Sequence, residues 1–416
     1  MPAKNSATAV SSEAAGGLRY VARQPILDLR GRVHGYELLF RKGPEAAFRG
    51  DGNMATRTML DNAVIFGLET LTGGLPAFVN CTRESLDELV HVLPPSLAVL
   101  EILETLEPTP DLIQACRKLK ALGFRLALDD FTWKPKIEPL VELADYIKVD
   151  FTLSNSKARK DLRRRLSGVS VALIAEKVET QEECKQAREE GFTLIQGYYF
   201  CRPVLLKGQK IPANRLSHIR ILELLQYEPL NLHRLSAVVK QDAALTFRLL
   251  RLVNSPVCAM RQEISSIESA LMVVGDEAFR RIATLAITSE LNANHPPELL
   301  RMAIVRGRFC ELAAELCALV PTEQYLVGML SLVPTMLRVS IEEFLLSLPL
   351  QGRMCGALLG EDCAERGLLR WAERYERGDW AGCDAVAQAN GLDQEAVARR
   401  YAEAVVWAEA ALAFTR

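Results

Sequence analysis

The sequence predicts an α/β barrel of the TIM type with one antiparallel strand, followed by an all-α domain. From Arg19 to about Pro203, short β-rich apolar runs alternate with amphipathic helical stretches, which is typical of parallel strands joined by crossover helices. The turn Leu29–Arg32 has the chemistry of a hairpin and would make one strand antiparallel. From Ile219 onward, long helical patterns dominate and β-branched runs are almost absent.

The strand candidates of the first half number about eight, which suits a compact TIM-like barrel. In chain order they are Tyr20–Leu27, Val33–Phe40, Ala77–Cys81, Ala98–Leu103, Arg125–Asp130, Tyr146–Phe151, Val171–Lys177 and Leu194–Phe200.

The chain length suits two domains, because single hydrophobic cores stop growing beyond roughly 250–300 residues and this chain has 416. Residues 1–17 are rich in Ala and Ser and lack the apolar region of a secretory signal, so we expect a disordered leader. We expect the barrel over residues 18–204, a polar connector over 205–218, and the helical domain with a C-terminal helical extension over 219–416.

Composition and charge exclude several classes of function. The formal net charge of -2 argues against a long nucleic acid as ligand, since such binding requires clustered Lys and Arg. The ten cysteines lack the spacing of a zinc site or a disulfide framework, which favours reduced thiols in the cytoplasm. No segment approaches the ~18 apolar residues of a membrane span. The most apolar stretch, Tyr325–Leu337, predicts a buried helix.

Polar residues recur on or just after the predicted strands, where a barrel of this type places its catalytic loops. A single acidic residue after a strand is more often a helix cap or an ion-pair partner than a metal ligand. The whole set favours a shared site, because adjacent acids cannot both cap one helix. Its members are Glu37, Asn80, Glu101, Asp129, Asp130, Lys148, Glu176 and Gln196.

Carboxylates that converge on one barrel mouth repel each other unless cations neutralise them. Oxygen ligands favour Mg²⁺ or Mn²⁺ over softer metals. Two such ions can bridge a phosphate and activate water, so metal-assisted hydrolysis of a phosphate ester is the expected chemistry. Lys148 would offset the charge that develops on the phosphoryl oxygens.

The ordered motifs of the first half resemble those of the EAL-type cyclic-di-GMP phosphodiesterases over nearly all of Tyr20–Pro203. The motifs are Gln24-Pro25-Ile26, Glu37-Leu38-Leu39-Phe40-Arg41, Asn80, Leu100-Glu101-Ile102-Leu103-Glu104, Asp129-Asp130-Phe131, Ile147-Lys148-Val149-Asp150, Ala175-Glu176-Lys177-Val178-Glu179-Thr180 and Gln196-Gly197-Tyr198-Tyr199-Phe200.

The resemblance implies a role for each matching side chain. It assigns metal binding to Glu37, Asn80, Glu101, Asp129 and Asp130. It assigns catalytic assistance to Lys148 and Glu176, and substrate contacts to Gln24, Arg41 and Gln196.

The chain departs from the family pattern in two places. Leu38-Leu39 stand where the family has Ala-Leu, which leaves the preceding glutamate in place. Thr132-Trp133-Lys134-Pro135-Lys136 replaces the glycine-rich loop that follows Phe131 in active relatives, and Trp and Pro lack the conformational freedom of glycine. This loop puts both turnover and a homodimer in question.

The second half resembles the HDOD domain, a relative of the metal-dependent HD phosphohydrolases. The motifs that carry this resemblance are Gln241-Asp242-Ala243-Ala244-Leu245-Thr246, Arg248–Pro256 and Ile264–Ile267. Gly328-Met329-Leu330-Ser331-Leu332 stands where an HD enzyme has Gly-Leu-Leu-His-Asp, so the metal-binding pair is missing. His218, His233 and His295 are interpreted as surface or capping residues, and Trp371, Trp380 and Trp407 as core residues.

Three functions remain open from the sequence. The first is metal-dependent hydrolysis of cyclic-di-GMP to linear pGpG, with the helical domain as a regulatory module that contacts a protein partner. The second is a receptor that binds cyclic-di-GMP without cleaving it. The third is a protein-interaction scaffold. Retained metal-binding side chains favour the first, and the altered loop after Phe131 favours the second.

Overall fold

The structure is a computed structural model that describes residues 19–42, 68–83, 85–86, 93–201, 213–226, 229–254, 264–348, 350 and 352–413. The leader predicted for residues 1–17 and residues 205–212 of the predicted connector lie outside the described residues. The domain boundaries therefore stay a prediction.

The first half of the chain folds as a closed eight-stranded barrel in which the strands follow one another in chain order. The prediction of a TIM-like barrel is confirmed. The strands are β1 (Arg19–Asp28), β2 (Val33–Lys42), β3 (Ala77–Cys81), β4 (Ala98–Ile102), β5 (Arg125–Leu128), β6 (Tyr146–Asp150), β7 (Ala172–Glu176) and β8 (Leu194–Gln196).

The first strand is antiparallel to both of its neighbours, as the hairpin predicted. Gln24 pairs with Glu37 across β1 and β2, and Ile26 pairs with Gln196 across β1 and β8. The hairpin turn is held by Asp28, whose carboxylate accepts hydrogen bonds from the backbone N–H groups of Arg30 and Arg32 at 2.8 and 2.9 Å. The remaining pairs are parallel.

Helices connect the parallel strands and are capped by residues that the sequence supplies at their first turns. Thr180 caps the helix Gln181–Glu189 in a reciprocal capping box with Glu183, and Thr109 caps the helix Pro110–Ala121. The described barrel helices are α1 (Leu68–Thr72), α2 (Pro110–Ala121), α3 (Glu138–Leu143), α4 (Ser156–Arg165) and α5 (Gln181–Glu189).

The last strand is shorter than the sequence predicted. The prediction of a strand over Leu194–Phe200 is wrong beyond Gln196, and Tyr199–Cys201 form a 3₁₀ turn instead. Gly197 ends the strand with φ 146°, and a Cβ at this position would lie 2.0 Å from the Val178 carbonyl oxygen. The close approach of these two loops therefore requires glycine.

The second half is helical throughout its described residues, as predicted. Its helices are α6 (Ala213–Leu224), α7 (Leu232–Val239), α8 (Ala243–Val253), α9 (Ile267–Leu291), α10 (Pro297–Ala313), α11 (Pro321–Leu330), α12 (Val333–Leu337), α13 (Ile341–Ser347), α14 (Gly352–Leu359), α15 (Ala364–Glu376), α16 (Trp380–Ala389) and α17 (Gln394–Ala413). None of the helices within the described ranges is long and apolar enough to cross a membrane.

Two predictions for the helical half need correction. The stretch Tyr325–Leu337 is buried, but it forms parts of two helices, because α11 ends at Leu330 and Pro334 lies in the first turn of α12. His218 is buried rather than on the surface, with its Nε2 atom 3.2 Å from the Asp242 carboxylate.

The other aromatic and histidine predictions agree with the structure. Trp371 is fully buried, and Trp380 and Trp407 pack against the core while partly exposed. His233 is exposed, and the Nε2 atom of His295 lies 2.9 Å from the carbonyl oxygen of Met336 at a helix end.

Candidate active site

The barrel interior is built in two layers because side chains alternate between the faces of each strand. The lower layer is apolar and fully enclosed, and consists of Ile26, Phe78, Val99, Ala127, Tyr146, Ile174 and Leu194. Two residues further toward the mouth, each of these strands presents a polar side chain. The upper layer consists of Gln24, Asn80, Glu101, Asp129, Lys148, Glu176 and Gln196, and Glu37 of β2 completes it.

The ammonium group of Lys148 lies at the centre of the upper layer and is completely buried. Its Nζ atom is 3.2 Å from Glu37, 2.7 Å from Glu101, 2.8 Å from Asp129 and 3.0 Å from Glu176. The sequence-predicted residues therefore converge, and one buried cation holds four carboxyl groups together.

A chain of hydrogen bonds joins the amide side chains of the layer to Glu37. The Nε2 atom of Gln196 donates to Glu37 Oε2 at 2.5 Å and to Gln24 Oε1 at 3.0 Å. Asn80 Nδ2 donates to Glu37 Oε1 at 3.2 Å. Glu37 is thus held from both sides, and the substrate contacts predicted for Gln24 and Gln196 stay predictions.

The carboxyl groups differ in their affinity for protons although they share one cavity. Burial raises the pKa of Glu101 well above its ordinary value and raises that of Glu176 to about 8. Burial also acts on Glu37, but the Lys148 ammonium and the hydrogen bonds described above outweigh it and lower the pKa of Glu37. The site can therefore hold a protonated and an ionised carboxyl side by side at neutral pH.

The two adjacent aspartates take different positions. Asp129 contacts Lys148, whereas Asp130 has φ 37° and its carboxylate lies 3.7 Å from Lys177 Nζ. Lys177 also forms an ion pair with Asp150. Neither Lys177 nor Asp150 has a role predicted from the sequence, although Lys177 directly follows Glu176 in its motif.

Arg41 cannot be placed as a site residue. Its backbone pairs with Tyr20 at the end of β2, but its side chain lies outside the described part of the structure. Its predicted substrate contact therefore stays a prediction.

The oxygen atoms of the upper layer suit a divalent cation. Buried acceptors without donors are costly, and carboxylate and amide oxygens are the ligands that Mg²⁺ and Mn²⁺ prefer. Among the described residues of the site, the buried oxygen atoms without a hydrogen-bond donor include Asn80 Oδ1, Glu101 Oε2, Asp130 Oδ1, Glu176 Oε2 and Gln196 Oε1. No group of His, Cys, Asp and Glu in that part of the chain is already arranged as a metal site. The carboxylates converge on Lys148 instead.

The loop that replaces the glycine-rich segment is anchored by its own side chains. Trp133 packs edge-to-face on Phe131 at 6.2 Å, and the guanidinium of Arg165 lies 5.1 Å from the Trp133 ring. Lys134 donates to the carbonyl oxygen of Glu104 at 2.7 Å, and Lys136 has φ 64°. A positive-φ residue is therefore retained in this loop without glycine.

The helical half carries a buried ion pair where an HD enzyme has metal ligands. Arg306 donates to both carboxylate oxygens of Glu376, at 2.9 and 2.6 Å, and to Ser331 Oγ at 3.2 Å. A guanidinium group next to Ser331 satisfies the charge of Glu376, and the loss of metal chemistry in this half stays a prediction.

The fold and site define a TIM-type barrel with an acidic, lysine-centred mouth and an appended helical domain. The EAL domain family matches residues 77–203 and the HDOD domain family matches residues 211–342. The uncharacterized protein YuxH of Bacillus subtilis is 33% identical over 400 residues, which are 93% of this chain and 97% of that protein. The cyclic di-GMP phosphodiesterase CdgJ of Vibrio cholerae is 34% identical over 398 residues, which are 94% of this chain and 92% of that protein.

Among solved structures, matches cover slightly less than half of this chain. The manganese/cy-diGMP complex of Klebsiella pneumoniae BlrP1 has 22% sequence identity and a TM-score of 0.38, over 45% of this chain and 57% of that chain. The chain belongs to the family of two-domain proteins in which an EAL domain is followed by an HDOD domain.

Proposed function

We propose that the chain is a phosphodiesterase that hydrolyses cyclic-di-GMP to linear pGpG with Mg²⁺ or Mn²⁺, and that its helical half is regulatory. The observation that carries this proposal is the buried upper layer, in which four carboxyl groups surround Lys148 within 3.2 Å. The similarity to CdgJ, a cyclic di-GMP phosphodiesterase that matches 94% of this chain, supports the same substrate.

The metal-binding residues would be Glu37, Asn80, Glu101, Asp129 and Asp130. When bound, such ions polarise a phosphate oxygen and favour a nucleophilic water at neutral pH. The Asn80 Oδ1 and Glu101 Oε2 atoms support this assignment, because they are buried acceptors without a hydrogen-bond donor. Asp130 Oδ1 also lacks a hydrogen bond, but it lies 3.7 Å from the Lys177 ammonium.

The chain's own residues supply charge and proton transfer. Lys148 Nζ would stabilise negative charge on the phosphoryl oxygens. Glu176, whose pKa burial raises to about 8, would assist the attacking water. Gln24, Arg41 and Gln196 are the proposed substrate contacts.

The decisive experiment incubates the purified full-length protein with cyclic-di-GMP and either metal and follows the linear product by chromatography. Glu37→Gln is expected to lower the rate by at least about 100-fold, because it removes a charged ligand without changing its size. Glu138→Gln, at an exposed position at the start of α3, is the matched control and should retain activity. Product formation that is independent of metal or unaffected by Glu37→Gln would contradict the proposal.

A non-catalytic receptor is the second candidate, and the altered loop after Phe131 favours it. Tight binding of cyclic-di-GMP with no product in either metal would establish the receptor and exclude the enzyme. Absence of both binding and product would favour a protein-interaction scaffold.

We also propose a cytoplasmic location, which the nine described cysteines support because all of them are free thiols. A protein partner for the helical half and a homodimer are further proposals. Light scattering of the purified chain, alone and after chemical cross-linking in cell extract, would test both.

A further inference from the structure

The helical half contacts the outer sides of β1 and β2 and the segment that directly follows β8, the three neighbouring strands on this side of the barrel. Val21 of β1 donates its backbone N–H to the Tyr375 hydroxyl at 3.1 Å. Just beyond β8, the hydroxyl of Tyr198 donates to the carbonyl oxygen of Glu376, and the Cys201 carbonyl accepts a hydrogen bond from Thr335 at 2.8 Å.

A closed ring of five side chains fastens β1 and β2 to helices α10 and α17, and we call it the interface ring. The Tyr36 hydroxyl donates to Glu298 Oε2 at 2.8 Å, and Glu298 also pairs with Arg301 at 3.2 Å. Arg301 forms an ion pair with Glu409, which pairs with Arg23 at 3.1 Å. The guanidinium of Arg23 lies 5.1 Å from the centre of the Tyr36 ring and closes the circle.

The interface ring is enclosed and electrically balanced. Tyr36 is fully buried and Glu298 is 3% exposed, while the side chains of Arg23 and Arg301 are 12% exposed and that of Glu409 is 25% exposed. Two carboxylates face two guanidinium groups. Buried charges of this kind hold one geometry, because displacement of either partner leaves the other unpaired and desolvated.

The same three strands carry the amide and carboxylate chain of the site on their inner faces. Gln196 of β8 bonds to Gln24 of β1 and to Glu37 of β2. Arg23 and Tyr36 of the interface ring directly precede Gln24 and Glu37 in the sequence, and successive side chains of a strand point to opposite faces. A shift of the helical half that moves Arg23 and Tyr36 must therefore also move Gln24 and Glu37.

We propose that Tyr36 and Glu298 are positioning residues, through which the helical half sets the place of Glu37 and thereby the metal affinity of the barrel mouth. This inference rests on the proposed function, since it assigns a regulatory contact to the same site. The ligand whose affinity changes is a divalent cation. Helix α10 acts on β2 through the hydrogen bond from the Tyr36 hydroxyl to Glu298.

The test compares two full-length variants that carry the same substitution in the same helix. Glu298→Gln weakens the interface ring. Glu311→Gln is its matched control, because Glu311 is also buried in α10 but pairs with Arg281 and Arg308 within the helical half, at 2.6 Å each. Both variants should lose a similar part of their thermal stability.

Free Mn²⁺, measured by its electron paramagnetic resonance signal, gives the metal affinity without any substrate. Glu298→Gln should weaken Mn²⁺ binding by at least about fivefold, which is the lower end of typical coupling between sites, and Glu311→Gln should leave it unchanged. Raising the Mn²⁺ concentration should restore the kcat of Glu298→Gln with little change in KM, which a purely structural defect would not do.

A second pair of variants, Tyr36→Phe and its control Tyr325→Phe, each removes one tyrosine hydroxyl. Tyr36→Phe should weaken Mn²⁺ binding as Glu298→Gln does. Tyr325→Phe should not, because the Tyr325 hydroxyl is buried and bonds to the Arg281 carbonyl within the helical half.

The outcomes separate this inference from the proposed function. Equal Mn²⁺ affinity in Glu298→Gln, Tyr36→Phe and their controls would overturn the inference even if the unaltered chain hydrolyses cyclic-di-GMP. An unaltered chain that binds Mn²⁺ without hydrolysis would refute the enzyme, while the Mn²⁺ comparison still decides the inference. An unaltered chain that binds no Mn²⁺ would overturn the inference, and one that also forms no product with Mg²⁺ would refute the enzyme.

Discussion

Lys148→Met removes the ammonium group on which the barrel's carboxylates converge and keeps a side chain of similar length. The four Nζ contacts of 2.7–3.2 Å and the complete burial of Lys148 determine the expected magnitude. Removal of one partner from a buried ion pair costs about 3–5 kcal/mol, because the remaining charges are left uncompensated. The thermal unfolding midpoint in EDTA should fall by roughly 5–10 °C.

Metal should compensate for this loss in part. The carboxylates that Lys148 no longer neutralises attract a divalent cation more strongly, so Mn²⁺ should raise the midpoint of the variant more than that of the unaltered chain. A ligand present at 100 times its Kd stabilises a folded protein by about 2.7 kcal/mol. Turnover should nevertheless fall by about 100- to 1000-fold, since the charge on the phosphoryl oxygens loses its fixed partner.

Lys120→Met is the matched control. Lys120 pairs with Asp145 at 2.7 Å, but both side chains are about one-third exposed, so the substitution should cost no more than about 1 kcal/mol. Differential scanning calorimetry in EDTA and in Mn²⁺, together with the chromatographic assay, measures every quantity. An unfolding midpoint or a kcat of Lys148→Met close to that of Lys120→Met would refute the central role of this ammonium.

Two further predictions concern the stability of the barrel. Gly197→Ala should abolish soluble expression or strongly lower the unfolding midpoint, because its Cβ would lie 2.0 Å from the Val178 carbonyl oxygen. Gly352→Ala is the control and should leave the unfolding midpoint unchanged, because no atom lies within 4 Å of the added Cβ. Glu190→Gln should cost about 3 kcal/mol at pH 7, because the buried pair with Arg159 at 2.6 Å is broken. Burial opposes the ionisation of Glu190, but its hydrogen bonds, chiefly from Arg159, outweigh burial and lower its pKa in the folded protein. The stabilisation is therefore present above the ordinary glutamate pKa, and it disappears as the pH falls through the lower pKa of the folded protein. Unfolding midpoints from pH 7 to pH 3 should therefore converge for Glu190→Gln and the unaltered chain, and a constant difference would contradict the assignment.

The sequence was sufficient to predict the barrel and its polar mouth. Side chains alternate between the two faces of each strand, and parallel strands end at the same face of the barrel. These two rules bring the predicted residues together. It could not predict where the last strand ends, since that depends on the contact between Gly197 and Val178, which lie on different loops.

The detailed arrangement of the site depends on features that a sequence pattern does not contain. Asp129 and Asp130 are adjacent, and the positive φ of Asp130 turns one toward Lys148 and the other toward Lys177. The sequence predicts His218 as a surface or capping residue. Its burial follows from packing against the segment that contains Asp242, which no local pattern reveals.

The hairpin that the sequence predicts has a consequence for the whole molecule. In a TIM-type barrel, crossover helices cover the outer faces of the strands, but the turn Leu29–Arg32 joins β1 to β2 without one. A methyl group placed on Gly31 of this turn would lie 3.1 Å from Pro296, so the helical half begins its cover at the turn itself. From there it extends along Tyr36 and Arg23. Over the described residues, the helical half therefore supplies the cover that this turn does not provide. Under the proposed coupling, a movement of those helices would reach the strands that carry Glu37 and Gln24.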